Sequence, residues 1–150
     1  MLDRTTIINN TSVVLKKELE RAVYDIKINM LNNNQVVTGR TARSLYTQVD
    51  GNTGFIAGAE HIDTLEKGIS PERSRLQSAR TTYFAMRDWM NNKGLQSKYA
   101  YKATLNQRKI GSLLYRRGGR KDVFTNEVDP LVARISEQIA DIFINTKIID

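Results

Sequence analysis

His61 is the one histidine of this 150-residue chain, and the carboxylates Glu60, Asp63 and Glu66 stand beside it. Side chains of these types, so closely spaced, could pass protons, and a small hydrolase using Glu60, His61 and Asp63 is the chemistry they suggest. The plainer reading of the four is the polar rim of a short element, and it is preferred. No serine stands in the Gly-x-Ser-x-Gly frame of a nucleophile elbow. Gly118-Gly119-Arg120-Lys121 lacks the spacing of a phosphate loop and the Ser or Thr that follows one. The chain has no cysteine, which removes disulfides and thiolate metal sites. With one histidine, a zinc or iron site would need Asp and Glu for nearly every other ligand. No catalytic residue, metal or cofactor is therefore expected.

The strongest chemical feature is a stretch without acids. Between Asp88 and Asp122 there is no Asp or Glu, while Lys93, Lys98, Lys102, Arg108, Lys109, Arg116, Arg117, Arg120 and Lys121 are all present. The chain has 23 Lys and Arg against 16 Asp and Glu, a net charge of +7, and without those nine the balance is 14 against 16. The basic excess belongs to this stretch. Its densest part, Tyr115-Arg116-Arg117-Gly118-Gly119-Arg120-Lys121, reads as a glycine-broken basic loop within 111–124. Such a loop can grip nucleic acid or dock on an acidic protein surface. Tyr99 and Tyr101 lie inside the stretch, and aromatics among Lys and Arg suit single-strand binding. Neither the patterned aromatics of an RNA-recognition sheet nor a helix-turn-helix spacing accompanies them. Trp89 and Tyr83 recur at helical spacing with Met86 and Met90, which assigns them to a core.

Positioning these residues falls to a single α+β domain, 1–150. A small antiparallel β-sheet is expected against a long N-terminal helix and two to three further helices, with an extended basic loop. Leu15, Leu19, Ala22, Val23, Ile26 and Met30 predict a helix from Ser12 to Asn32, capped by Thr11 or Ser12 and ended by Asn32-Asn33-Asn34. Thr38 to Ser44 is a turn with one helical turn. Leu45 to Val49 and Gly54 to Gly58 are strands joined by Asp50-Gly51-Asn52-Thr53. His61 to Lys67 is a short helix or an extended piece, closed by Gly68-Ile69-Ser70-Pro71. Helices follow over Ala79 to Asn92, with Gly94 beyond its end, and over Ser97 to Ile110. Asp129-Pro130 is a cap-and-first-residue pair for a last helix to Asn145, whose inner stripe is Leu131, Ile135, Ile139, Ile142 and Phe143. No apolar run approaches the roughly 20 residues of a membrane span. Met1-Leu2-Asp3-Arg4-Thr5-Thr6 lacks the layout of a signal peptide, so a cytoplasmic chain is expected.

Four segments carry more than composition does. Thr38-Gly39-Arg40-Thr41-Ala42-Arg43-Ser44-Leu45 has a "TGR–small–SL" pattern at the entry to the hairpin. Leu65-Glu66-Lys67-Gly68-Ile69-Ser70-Pro71 has the form "LExG–x–x–P". Trp89-Met90-Asn91-Asn92-Lys93-Gly94 has a "W–x–x–x–KG" helix end. Gly111-Ser112-Leu113-Leu114-Tyr115-Arg116-Arg117-Gly118-Gly119-Arg120-Lys121-Asp122-Val123-Phe124 has the form "G[ST]–LYR–GG–D[IV]F". Their order resembles the minor tail, or tail-completion (head–tail joining, neck), family of tailed bacteriophages, especially from phages of Bacteroidetes hosts. The resemblance covers nearly the whole chain from about residue 12. The chain departs from the pattern where Glu60-His61-Ile62-Asp63 replaces the usual aromatic.

The resemblance implies a structural virion protein that catalyses no reaction. Copies would form a ring at the neck, between portal-bound adaptors and the tail, around a channel for DNA. It would be made in the host cytoplasm and end at the head–tail junction of the virion. Its partners would be other copies, the portal, adaptor and tail proteins, and DNA passing without sequence-specific contact, with no membrane and no small-molecule substrate. A ring needs heterologous contacts, in which one patch meets a different patch on the neighbour. A basic middle and an acidic end offer such patches, since Asp122 to Asp150 holds six acids and two bases. The expected contact residues are Arg40, Arg43, Tyr115, Arg116, Arg117, Gly118, Gly119, Arg120 and Lys121, with the two glycines letting the loop change shape on assembly. The alternative is a sequence-nonspecific nucleic-acid-binding protein using 93–121.

Overall fold

Helix α1, Arg4–Asn32, is the longest element, and its inner stripe is Thr11, Leu15, Glu18, Leu19, Ala22, Val23, Ile26 and Met30. It belongs to a computed structural model that describes residues 4–36 and 38–147. The chain folds as two units: Met1–Ala59 with Asp122–Asp150 is unit 1, and Glu60–Lys121 is unit 2. The fold is α+β, mostly helical with one small sheet. Among the described residues no helix is long and apolar enough to cross a membrane.

The start of α1 corrects the sequence reading. The helix begins at Arg4, so neither Thr11 nor Ser12 caps it. Thr5, Thr6, Asn9 and Asn10 are poor helix formers that hide this turn. The half-buried Ile7 and Ile8 and the buried Thr11 carry the inner stripe back through it. Ser12 instead donates its hydroxyl to the Gly51 carbonyl at 2.6 Å, which ties the helix to the hairpin turn. At the other end Asn34 sits at φ 53. Gln35 N–H there donates to the Met30 carbonyl and Asn34 N–H to that of Leu31, both at 2.9 Å, closing the last turn.

After α2, Arg40–Ser44, the hairpin pairs β1, Tyr46–Asp50, with β2, Thr53–Ala57, in the register Tyr46↔Ala57 to Asp50↔Thr53. Alternation sends Thr47, Val49, Gly54 and Ile56 inward toward α1, leaving Tyr46 and Phe55 exposed. Gly54 brings β2 close to α1: a Cβ there would lie 2.6 Å from Leu19 Cδ1, so Leu19 would have to shift.

Helix α8, Thr125–Lys147, packs on α1. It starts five residues before Pro130, so Asp129-Pro130 is not its cap. Tertiary bonds set the earlier start. Asn29 Nδ2 donates to the Val123 carbonyl at 3.2 Å and to Glu127 Oε1 at 2.9 Å, and Val123 is fully buried. Pro130 is exposed, so solvent can take the Asn126 carbonyl that its missing N–H leaves. Leu131, Ile135, Ile139 and Ile142 are half-buried, but Phe143 lies about 100° further round from Ile142 and is exposed.

Between the two helices lies a carboxylate that the sequence places on a solvated face. Glu18 is 1% exposed. It accepts from Arg134 Nε at 2.7 Å and from Gln138 Nε2 at 2.7 Å. The Gln138 amide, with Arg134 behind it, holds the Glu18 carboxyl below its ordinary 4.5, against the opposing effect of burial.

Unit 2 is a string of helices, α3 Thr64–Lys67, α4 Pro71–Arg75, α5 Ala79–Asn92, α6 Ala100–Ile110 and α7 Leu113–Arg116, with a 3-10 turn at Ser97–Tyr99. Serine hydroxyls cap three of them: Ser70, Ser78 and Ser112 accept from Arg73, Thr81 and Tyr115 N–H. Ser70-Pro71 therefore opens a helix as well as closing the segment before it. Arg108 Nη1 donates to the carbonyls of Ser74 at 3.0 Å and Gln77 at 2.7 Å, fastening α6 to the end of α4. Tyr83, Met86 and Met90 are half-buried on α5, but Trp89, expected in the core, is 46% exposed at the edge of that face.

A carboxyl whose folded pKa lies below 4.5 stabilises the fold above that pH and stops doing so as pH falls through its folded value. Glu18→Gln should cost about 1–3 kcal/mol near neutral pH, the cost of replacing charge-assisted bonds with neutral ones. Thermal unfolding followed by circular dichroism should show wild type losing more stability than the variant on acidification below pH 4.5. Equal losses would mean that Glu18 is not a titrating support.

Candidate assembly surface

The basic stretch begins as ordinary helix and ends as a clamped turn. Gly111 leaves α6 at φ +81. Ser112 and Ile69 then bind each other twice. The Ser112 N–H donates to the Ile69 carbonyl at 2.8 Å, and the Ser112 hydroxyl accepts from the Ile69 N–H at 2.9 Å. Eight residues on, the Arg120 N–H donates to the Glu66 carbonyl at 2.8 Å. These clamps fix both ends of α7 and its following turn onto the α3–α4 segment.

The segment expected as one loop over 111–124 is thus partly helical. Its Gly-Gly pair ends α7: the Gly118 N–H donates to the Tyr115 carbonyl and the Gly119 N–H to that of Leu114, both at 3.0 Å. This is a helix C-terminus in which glycine relieves the left-handed turn. Two glycines are also required by contact. Gly68 has φ +73, and a Cβ there would strike the Tyr115 nitrogen and come within 2.7 Å of Ser112 Oγ. Gly119 has φ +81, and a Cβ would lie 2.7 Å from the Glu66 carbonyl oxygen. Segments 65–71 and 111–120, quoted separately for the resemblance, therefore pack on one another. Their junction depends on Gly68, Glu66 and Ser112, which the expected contact residues do not include. A Ser immediately before Leu-Leu-Tyr is the cap signal that reveals α7.

Of the nine expected contact residues, Tyr115, Arg116, Arg117, Gly118, Gly119, Arg120 and Lys121 come together on this clamped turn. Tyr115, Arg116, Arg117, Gly118 and Lys121 are exposed, and Gly119 and Arg120 are half-buried. Arg40 and Arg43 belong to α2 in unit 1. Arg43 turns back on its own segment and donates from Nη2 to the Thr38 carbonyl at 3.1 Å, while Arg40 is exposed. Arg108 is occupied inside unit 2, as above. Lys98 lies 5.1 Å from the Tyr99 ring centroid, and Tyr99 and Tyr101 are both exposed.

Charge divides along the same boundary as the fold. Unit 2 has fourteen Lys and Arg against five Asp and Glu, a net charge of +9, and unit 1 has nine against eleven, a net charge of −2. In the cluster around His61, Arg73 engages Asp63 and Glu60. Both Asp63 oxygens accept from Arg73 Nη1, at 2.9 and 2.8 Å, and Arg73 Nη2 donates to the Glu60 carbonyl at 3.1 Å. Among the described residues no group of three His, Cys, Asp or Glu could hold a metal. No protein-family model, curated protein or solved structure matches the chain.

The clamp separates the two glycines experimentally. A Cβ at Gly118 meets nothing within 4 Å, whereas one at Gly119 meets the Glu66 backbone. Gly118→Ala should cost about 1–2 kcal/mol, for the positive φ alone. Gly119→Ala should cost more, and hydrogen exchange at the Arg120 amide should speed up in that variant only. Equal exchange in both would mean that the turn is not held at Glu66.

Proposed function

We propose that the chain is a structural virion protein of a bacteriophage neck. Copies form a ring that joins the portal and adaptor complex to the tail and leaves a channel for DNA. The observation that carries the assembly part is apolar. Among the described residues nineteen large hydrophobic residues are exposed, on both units, against nine hydrophobic residues that are buried. Exposed apolar side chains are what a protein neighbour covers where they gather on one face, as Val132 and Phe143 do on one side of α8. Nucleic-acid interfaces are more polar and much more positive. The order of the four segments from Thr38 to Phe124 supports the neck as the place of assembly. The packing of 65–71 on 111–120 supports treating them as one unit of that resemblance. The proposal gives the chain no reaction and no cofactor.

The clamped turn is the contact with a neighbour. Its exposed Arg116, Arg117 and Lys121 meet an acidic surface, and the clamp at Glu66 favours one arrangement before contact over the change of shape that the two glycines suggest in the sequence. Pre-ordering a loop lowers the entropy lost on binding. The second function, nucleic-acid binding by 93–121, is favoured by one observation: the exposed Tyr99 with Lys98 against its ring.

The triple variant Arg116→Glu, Arg117→Glu, Lys121→Glu spares the half-buried Arg120. Sedimentation velocity should show wild type assembling, alone or with portal and adaptor proteins, and the folded variant failing to join. A nucleic-acid binder would instead leave self-association unchanged. It would lose affinity for DNA with a salt slope of about −0.7 to −0.9 per phosphate contacted.

A further inference from the structure

Unit 2 carries a basic, aromatic strip across α5 and α6. Arg80, Phe84 and Arg87 stand at i, i+4 and i+7, on one face of α5. The guanidinium carbons of Arg87 and Arg80 lie 4.9 and 5.7 Å from the Phe84 ring centroid. Phe84 meets Tyr83 at 5.3 Å, and Tyr83 meets Tyr101 of α6 edge-on at 6.5 Å. Phe84 and Tyr101 are 38% and 64% exposed, and Lys102 beside Tyr101 is exposed as well.

Unit 1 carries a face of the opposite kind. Because α8 turns Leu131, Arg134, Ile135, Gln138 and Ile142 toward α1, its outer side presents Val132, Ala140 and Phe143, with Val132 55% and Phe143 49% exposed. Asp129 lies between Phe143 and Ala140 around that side and Glu137 lies beyond Ala140, and both acids are exposed.

We infer that the outer face of α8 docks on the α5–α6 strip of a second copy of this chain. The inference rests on the ring proposed above and supplies its repeating contact. Charge complementarity selects the occupant: acids bordering apolar side chains on α8 meet arginines bordering aromatic rings on α5 and α6. The two faces differ, so the contact is heterologous. It repeats from copy to copy and closes into a ring where the rotation allows. A nucleic acid fits the strip less well. Base stacking needs an open ring face, and Phe84 is already engaged by two guanidinium groups.

Charge reversal tests the pairing. One variant carries Arg80→Glu, Arg87→Glu and Lys102→Glu; the other carries Asp129→Lys and Glu137→Lys. Each alone should weaken self-association roughly ten-fold or more, measured by sedimentation velocity. An equimolar mixture should recover it, because each reversed face then finds an opposite partner. That recovery also shows that neither variant failed merely by misfolding. If wild type assembles and the α8 reversal does not weaken it, this contact is wrong and the ring proposal stands. If the strip reversal abolishes binding of a single-stranded oligonucleotide but leaves self-association intact, the strip belongs to nucleic acid and the inference falls. If wild type stays monomeric alone and with portal and adaptor proteins, the ring proposal falls and this contact with it.

Discussion

A carboxylate taken out of water must be met by donors, and in unit 1 that requirement fixes how the two long helices face each other. Glu18 is buried at the middle of α1, and among the described residues its side-chain donors, Arg134 and Gln138, come from α8. An ion pair so placed is weak evidence for stability, because desolvation opposes the attraction, but it is costly to break. Its effect here is on orientation. Arg134 and Gln138 must point inward, so Leu131, Ile135 and Ile142 follow them and Val132, Ala140 and Phe143 are turned outward. That Val132, Ala140 and Phe143 face outward is thus a consequence of the pair at Glu18.

Unit 2 meets a comparable constraint with backbone rather than charge. Its helices are short, and no single apolar stripe holds α7. Two bonds between Ser112 and Ile69, one from Arg120 to Glu66, and the close approach at Gly68 do so instead. Basic side chains on such a turn keep a fixed arrangement while remaining exposed. Charge and geometry therefore arrive together. The +9 of unit 2 is presented partly on a clamped turn and partly on the α5–α6 strip, and the −2 unit contains the acidic α8.

Local patterns in the sequence reveal local structure well. Asp50-Gly51-Asn52-Thr53 marks the hairpin turn, and Ala79–Asn92 is bounded as read, because cap and turn residues act within a few positions. Helix starts at Arg4 and Thr125 are not legible in this way. They depend on burial of Thr11 and on the Asn29 bonds to Val123 and Glu127, contacts far apart in sequence. Glu18 is hidden for a related reason: a buried acid among Lys16, Lys17 and Glu20 looks like one more residue of a solvated face. The boundaries at Ala59–Glu60 and Lys121–Asp122 carry no linker composition, so the change in charge balance across them is the trace of the units in the sequence. The basic turn is legible as charge, but its clamp is not, since Ser112, Gly68 and Glu66 act through backbone geometry. Arg80, Phe84 and Arg87 are spaced legibly, yet Trp89, Tyr83, Met86 and Met90 offer a competing helical face.

The central claim is that this chain is built to assemble, its exposed apolar and charged faces being contacts awaiting neighbours. Electron microscopy of the purified wild-type chain, alone and mixed with portal and adaptor proteins, tests that claim most directly. The account predicts closed rings with a central opening, either free or seated on the adaptor complex. Particles that remain single copies under both conditions would contradict it.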